Sequence, residues 1–301
     1  MNRPQRTTRS RHSAFLLLAL ALAIAPPTLS AQAAEPFPAG KSLSEATFDG
    51  TTLQLYAYKA SNYTGDGFIV LLHGASRAAE AYRDNAAGMA ERFGTMVVVP
   101  LFDGERFPSR LYQFGGVQRE DGSFADEDER TFACIPKLVA HIRAREGAPA
   151  LSYEILGFSA GAQFLSRMAI FMDTDAERLL VMSPGSVPFP TRDLEYGLGF
   201  GGLPEAFSGD ENLRRYLALP VTVSVGTRDT ELAQLPTGEA YAQGVHRYAR
   251  ALRWFTEAME LAYRNEWAFN WRLVVHDGPG HSPPQMFNHE QIGNSLYGHR
   301  R

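Results

Sequence analysis

The chain of 301 residues has one cysteine, Cys134. A single thiol cannot form an internal disulfide, so the folded domain has to be held by its core. No block rich in Lys and Arg is present, and the balance of 29 basic against 33 acidic residues gives a net charge of −4. That argues against nucleic acid and against anionic membrane as partners. There is no internal repeat and no long low-complexity tract. The apolar run at 14–25 is about 12 residues, well short of the ~20 that a membrane-spanning helix needs. No cysteine follows that run, so a lipoprotein anchor has no attachment point. The arginines ahead of it are not adjacent, so a twin-arginine route is not indicated.

What the N-terminus does have is the secretory layout. Arg3, Arg6, Arg9 and Arg11 precede the apolar run, Pro26-Pro27 breaks it, and Ala31-Gln32-Ala33 offers a small-residue cleavage site. Residues 1–33 are expected to be a cleavable signal peptide, which makes the chain secreted or periplasmic with no stable membrane anchor. An uncleaved N-terminal anchor is the alternative. Removing the segment takes away 4 of the 29 basic residues and none of the 33 acidic ones, leaving a net charge of −8. The remainder, 34–301, is long and apolar enough for one large domain or two small ones.

Apolar runs bounded by turn residues recur along it. The alternation over 47–59 predicts a strand. Gly67-Phe68-Ile69-Val70-Leu71-Leu72 predicts a fully buried one, and further core strands are expected at 96–99, 153–156, 179–182, 221–225 and 271–275. Helices are expected at 78–93, 131–145 and 160–172, with Pro136 starting or kinking the second. Tyr241, Val245, Tyr248, Leu252, Phe255, Met259 and Ala262 step alternately by 4 and 3, which predicts one buried helix face. Alternating β and α segments indicate an α/β fold: a mostly parallel twisted sheet with helices on both faces. Residues 187–219, rich in Pro, Gly and aromatics, interrupt the alternation and read as a small cap-like insertion over the top of the sheet.

Gly157-Phe158-Ser159-Ala160-Gly161 matches G-x-S-x-G directly after the strand expected at 153–156 and at the start of an Ala-rich helix. Small residues two positions either side of the serine allow a sharp strand-to-helix turn that pushes the hydroxyl out. A serine hydroxyl near neutral pH needs a base. His281, in Asp277-Gly278-Pro279-Gly280-His281-Ser282 after the last expected strand, can be aimed across the sheet top. His276, ending that strand, is the second choice, with a structural role expected for it; His141, His246 and His289 sit in helix-like stretches. An imidazole base needs an acid to fix its tautomer, and Asp229 in Gly226-Thr227-Arg228-Asp229-Thr230 lies just past the strand at 221–225. Asp229 as a plain loop cap is the bland alternative, and Asp277 is too near His281 in sequence to replace it comfortably. Ser159, Asp229 and His281 each stand at the C-terminal end of a different expected strand, where open parallel sheets bind ligands. The run Leu71-Leu72-His73-Gly74-Ala75-Ser76 ends an earlier strand. The amides of Ala75 and Ala160 are the candidate oxyanion hole, with His73 holding the loop.

The set LLHGAS, GFSAG, GTRD and GPGH resembles the α/β-hydrolase superfamily across nearly the whole of 34–301, with its nearest likeness to exported esterases related to polyhydroxybutyrate depolymerases and feruloyl esterases. The resemblance implies an α/β-hydrolase fold and a triad of Ser159, Asp229 and His281. The chain departs from many secreted depolymerases in lacking their cysteine pairs and an appended substrate-binding domain, which puts action on solid polymer in doubt. It implies hydrolysis of a small-molecule or oligomeric ester with no cofactor and no metal. The same parts can serve a peptidase or amidase, and a non-catalytic binding protein on this scaffold is a third reading. Eight aromatics in the expected top loops, Phe102, Phe107, Tyr112, Phe114, Phe189, Tyr196, Phe200 and Phe207, either line an acyl pocket or pack the loops. The acidic stretch 120–129 lacks EF-hand spacing and reads as solvated surface. A neutral His281 as base predicts a rate rising with pH through roughly 6–7; a profile flat from pH 5 to 8 contradicts that role.

Overall fold

A computed structural model describes residue 1 and residues 35–232 and 242–298. The expected signal peptide at 1–33 lies, Met1 apart, outside the described residues, as does Tyr241. Among the described residues eight strands form one sheet: β1 (Gly40–Phe48), β2 (Thr51–Lys59), β3 (Gly67–Leu72), β4 (Met96–Pro100), β5 (Ser152–Phe158), β6 (Arg178–Met182), β7 (Val221–Gly226) and β8 (Arg272–His276). Their spatial order is β1-β2-β4-β3-β5-β6-β7-β8. The two pairings that involve β2 are antiparallel, and every pairing from β4 through β8 is parallel.

The central parallel strands β3 and β4 are continuous apolar runs because both their faces are covered. Phe68, Val70 and Leu72 of β3 enter one core, while Ile69 and Leu71 enter the other. The first core is closed by α2 (Cys134–Arg145), α3 (Ala160–Phe171), α5 (Asp210–Ala218) and α6 (Arg247–Arg264). The second is closed by α1 (Ala79–Phe93) and two short C-terminal helices, α7 (Pro283–Phe287) and α8 (Ile292–Tyr297). One further turn of helix, α4 (Glu205–Ser208), precedes α5.

Three sequence expectations need correction. The single strand at 47–59 is a hairpin: Asp49 and Gly50, with φ of 48° and 81°, make a two-residue turn between β1 and β2. Positive φ at both central residues is the turn that matches strand twist, and Asp-Gly is suited to it. β1 escaped notice because it is an edge strand whose exposed residues are Lys41, Glu45 and Thr47 with only Leu43 apolar. The buried face of α6 is also rotated from the expected stripe. Arg247, Arg250, Ala251, Trp254, Ala258 and Ala262 are buried, whereas Val245 and Met259 are exposed. Small alanines let the helix close on the sheet and leave room for the one large ring, Trp254. Finally, His246 and His289 are not in helical turns. His246 caps α6, accepting from the Ala249 N–H at 3.0 Å, and His289 lies between α7 and α8.

The region 187–219 divides in two. Its last part holds α4 and α5, which lie on the crossover from β6 to β7, and the remainder is irregular. The irregular part is fastened by side chains: Trp254 Nε1 donates to the Pro188 carbonyl at 2.9 Å, and the Tyr196 hydroxyl donates to the Phe114 carbonyl at 2.8 Å. Five of the eight loop aromatics, Phe102, Phe107, Tyr112, Phe189 and Phe200, are buried. Phe102, Tyr112 and Phe164 stack at 5.2–5.7 Å between centroids, so loop packing accounts for them. Replacing Trp254 by Ala removes a fully buried ring and strands the Pro188 carbonyl. The expected loss is about 3–5 kcal/mol, read from urea unfolding followed by circular dichroism; an unchanged midpoint contradicts this anchor.

Candidate active site

Ser159 sits between β5 and α3 with φ 55° and ψ −108°, a conformation costly for a residue with a Cβ. The flanking glycines explain how it is reached. A Cβ on Gly157 would lie 2.3 Å from the Gly161 carbonyl oxygen, and one on Gly161 would lie 2.1 Å from that of Leu72. The turn is therefore pressed against the end of β3, and a methyl at either glycine is excluded by backbone. The Ser159 amide donates to the Met182 carbonyl of β6 at 3.0 Å, which ties the turn to its other neighbour. The hydroxyl remains partly exposed.

Two loops bring the other side chains to it. The loop after β8 is laid on the end of β7: a Cβ on Gly226 would meet the Pro279 carbonyl oxygen at 2.2 Å. Arg228 N–H donates to that carbonyl at 3.0 Å, Thr227 N–H donates to His276 C=O at 2.9 Å, and Gly278 N–H donates to Thr227 Oγ1 at 2.9 Å. The two loops are thus one bonded unit, and it carries both expected partners of the serine. His281 Nε2 stands 3.1 Å from Ser159 Oγ, and His281 Nδ1 stands 3.0 Å from Asp229 Oδ2. Asp229 is fully buried and His281 partly exposed. An ionised carboxylate accepts only, so Nδ1 carries the proton and Nε2 is left to face the hydroxyl.

The loop after β3 flanks the serine on its other side. A Cβ on Gly74 would lie 3.6 Å from Ser159 Cβ and 2.4 Å from the Tyr82 hydroxyl. Ala75 follows in an exposed turn closed by Arg77 N–H to Gly74 C=O at 3.1 Å. Ala160 is the first residue of α3, so its amide is one of the four that a helix leaves without an intrahelical acceptor. His73 is buried. Its Nε2 accepts from Phe102 N–H at 3.1 Å, so its Nδ1 carries the proton toward Gly74 C=O at 3.0 Å. His276 is buried too. Its Nε2 faces Ser224 Oγ at 2.8 Å and Ser295 Oγ at 3.1 Å, and its Nδ1 faces His289 Nδ1 at 3.1 Å. That network occupies both nitrogens of the second-choice base in the core, away from Ser159.

Sequence reasoning missed two neighbours of these residues. The Phe158 ring lies against the His281 imidazole, centroids 4.9 Å apart and planes tilted by 33°. Arg247, the first residue of α6, places Nη1 3.7 Å from Asp229 Oδ1, with both side chains buried. A signal for Arg247 existed: the first turn of α6 has no acidic residue and begins with a cation, opposite to what the helix dipole favours.

No family model and no curated protein matches the chain. Among solved structures it is similar to LpqC, a poly(3-hydroxybutyrate) depolymerase from Bordetella parapertussis, with 30% identity and a TM-score of 0.77 over 86% of this chain and 90% of that one. It is also similar to poly(aspartic acid) hydrolase-1 from Sphingomonas sp. KT-1, with 28% identity and a TM-score of 0.75 over 83% and 95% of the two chains. A thermostable esterase at 11% identity and a TM-score of 0.53, over 85% of this chain and 62% of that one, shares the fold. A mostly parallel eight-stranded sheet with a serine on the sharp turn after its fifth strand defines a protein of the α/β-hydrolase fold. The chain belongs to the α/β-hydrolase superfamily.

Burial pushes both His73 and His276 down from the ordinary imidazole value of 6.5 to about 4. Between those values the unfolded chain takes up protons that the folded one refuses. The stability they contribute is therefore whole above pH 6.5 and is lost as pH falls toward 4, by up to about 1.4 kcal/mol per histidine per pH unit. Urea midpoints are expected to drop over that range, with a shallower drop in H276N. An equally steep drop in H276N contradicts the burial of a neutral imidazole.

Proposed function

We propose that the chain is a serine hydrolase that cleaves carboxylic esters through an acyl-enzyme. The observation that carries the reading is the unbroken line from the buried Asp229 carboxylate through His281 to the partly exposed Ser159 hydroxyl, at 3.0 Å and 3.1 Å. Ser159 Oγ attacks the ester carbonyl carbon as His281 Nε2 takes its proton, and Asp229 stabilises the imidazolium that forms. The tetrahedral oxygen is bound by the amides of Ala75 and Ala160. His281 returns the proton to the departing alcohol, and a water activated by the same nitrogen releases the acid. Partial exposure of Ser159 and His281 suits a substrate that arrives from solvent.

The LpqC likeness supports an ester of the hydroxyalkanoate kind. The second relative is named for hydrolysing poly(aspartic acid), a polyamide, and that favours amide cleavage as the second reading. For location, the secretory layout of 1–33 supports a secreted or periplasmic protein whose domain is 34–301. Among the described residues no helix is long and apolar enough to cross a membrane.

Ser159→Ala is expected to abolish turnover of short p-nitrophenyl esters, by about 10³-fold or more, with the circular dichroism spectrum unchanged. Undiminished turnover in that variant contradicts the assignment. Matched ester and amide substrates of one acyl group decide between the two readings: the ester is expected to turn over faster, and a faster amide overturns that preference.

A further inference from the structure

Asp229 is a carboxylate with no solvent exposure. One of its oxygens, Oδ2, contacts His281, and the other, Oδ1, has no hydrogen-bond donor among the described residues. A buried carboxylate oxygen without a donor gives up its hydration with no bond in return. Opposite Oδ1 stands the Arg247 guanidinium, 3.7 Å away and itself almost wholly buried. The start of α6 is clamped onto the same residue, since Tyr248 N–H donates to the Asp229 carbonyl at 3.1 Å. A cation at a helix N-terminus works against the helix dipole, so the placement of Arg247 does nothing for α6. Its near neighbour of opposite sign is this carboxylate.

We propose that Arg247 is a positioning residue that keeps Asp229 ionised and offsets part of its pull on the proton of His281. The inference rests on the reading of Asp229 and His281 as the partners of Ser159. The charged groups that bear on the pair come from three elements. Arg247 and Arg250 face Asp229 from α6, Glu231 comes from the loop that carries Asp229, and His281 comes from the loop after β8. Asp277, on the His281 loop, is turned to Thr227 Oγ1 at 3.3 Å. Arg250 donates to the Gly185 and Gly244 carbonyls and adds its charge to the field at the same carboxylate. Arg247 brings a guanidinium nitrogen to 3.7 Å from the outer oxygen. Burial pushes the Arg247 guanidinium down, and Asp229 pushes it back up, as expected of a desolvated pair.

The sign of the effect follows. Without the guanidinium the carboxylate is harder to keep ionised, and the imidazolium beside an uncompensated carboxylate is favoured. Both changes carry the acid limb of kcat/KM to higher pH. A cation here therefore keeps the base free of its proton at lower pH than the Asp–His pair alone would allow, and so widens the working range on the acid side.

The test is the pH profile of ester hydrolysis in wild type, R247K, R247M and R247M/D229N, with folding checked by circular dichroism. R247M is expected to move the acid limb upward by about one pH unit, a tenfold change in proton concentration. R247K, which retains the charge, is expected to keep it near the wild-type position. A limb unmoved in folded R247M overturns the proposal. Should R247M fail to fold, the double variant, which leaves no charge buried alone, is expected to recover the fold; no recovery overturns the partnership. Wild-type enzyme without esterase or amidase turnover is a different failure, because it removes the reading of the triad and leaves nothing for Arg247 to position.

Discussion

Gly161 lies against the end of β3 so closely that a methyl there would reach within 2.1 Å of the Leu72 carbonyl oxygen, and Gly157 faces Gly161 almost as tightly. That close approach of backbone to backbone sets the place of everything else at the site. It lets the chain turn from β5 into α3 within one residue, with Ser159 at positive φ and its side chain outward. The strain is held by neighbours on both sides, with β3 pressing on Gly161 and β6 accepting the Ser159 amide. The placement of Ser159 is a property of three strand ends packed together.

The second constraint is a buried charge. Asp229 has no access to water, and its loop is welded to the His281 loop by hydrogen bonds through Thr227, Arg228 and Pro279. Histidine, aspartate and the start of α6 are then tied together, because Tyr248 holds the Asp229 carbonyl and Arg247 faces its carboxylate. Rigid support of this kind is what a hydrogen-bonded relay needs, since a misplacement of about 1 Å from the productive geometry costs on the order of 10²-fold in rate. The core histidine His276 adds to the same end by anchoring the last residue of β8 to Ser224 and Ser295.

Much of this was legible in the sequence, and the reason is local. The glycines of GFSAG, the strand before it and the alanines after it are adjacent in the chain, so their joint meaning needs no tertiary knowledge. Ser159, Asp229 and His281 were legible because each follows its own apolar run, and parallel strands deliver such positions to one edge. What stayed hidden depended on contacts across the fold. Arg247 reads as any surface arginine until α6 is seen to start on top of Asp229. The buried side of α6 was misjudged because the large apolar residues of the stripe lie to one side of the contact, while Ala251, Ala258 and Ala262 make it. The β1–β2 hairpin was missed although Asp49-Gly50 marks it, because the mostly polar outer face of an edge strand does not stand out by apolar pattern.

The most direct measurement of the central claim is covalent trapping. Incubation of the intact protein with a fluorophosphonate, followed by intact mass and peptide mapping, is expected to show one adduct per chain, located on Ser159 and strongly slowed when His281 is replaced by Ala. An unmodified mass, or an adduct on any other residue with Ser159 left bare, contradicts the account.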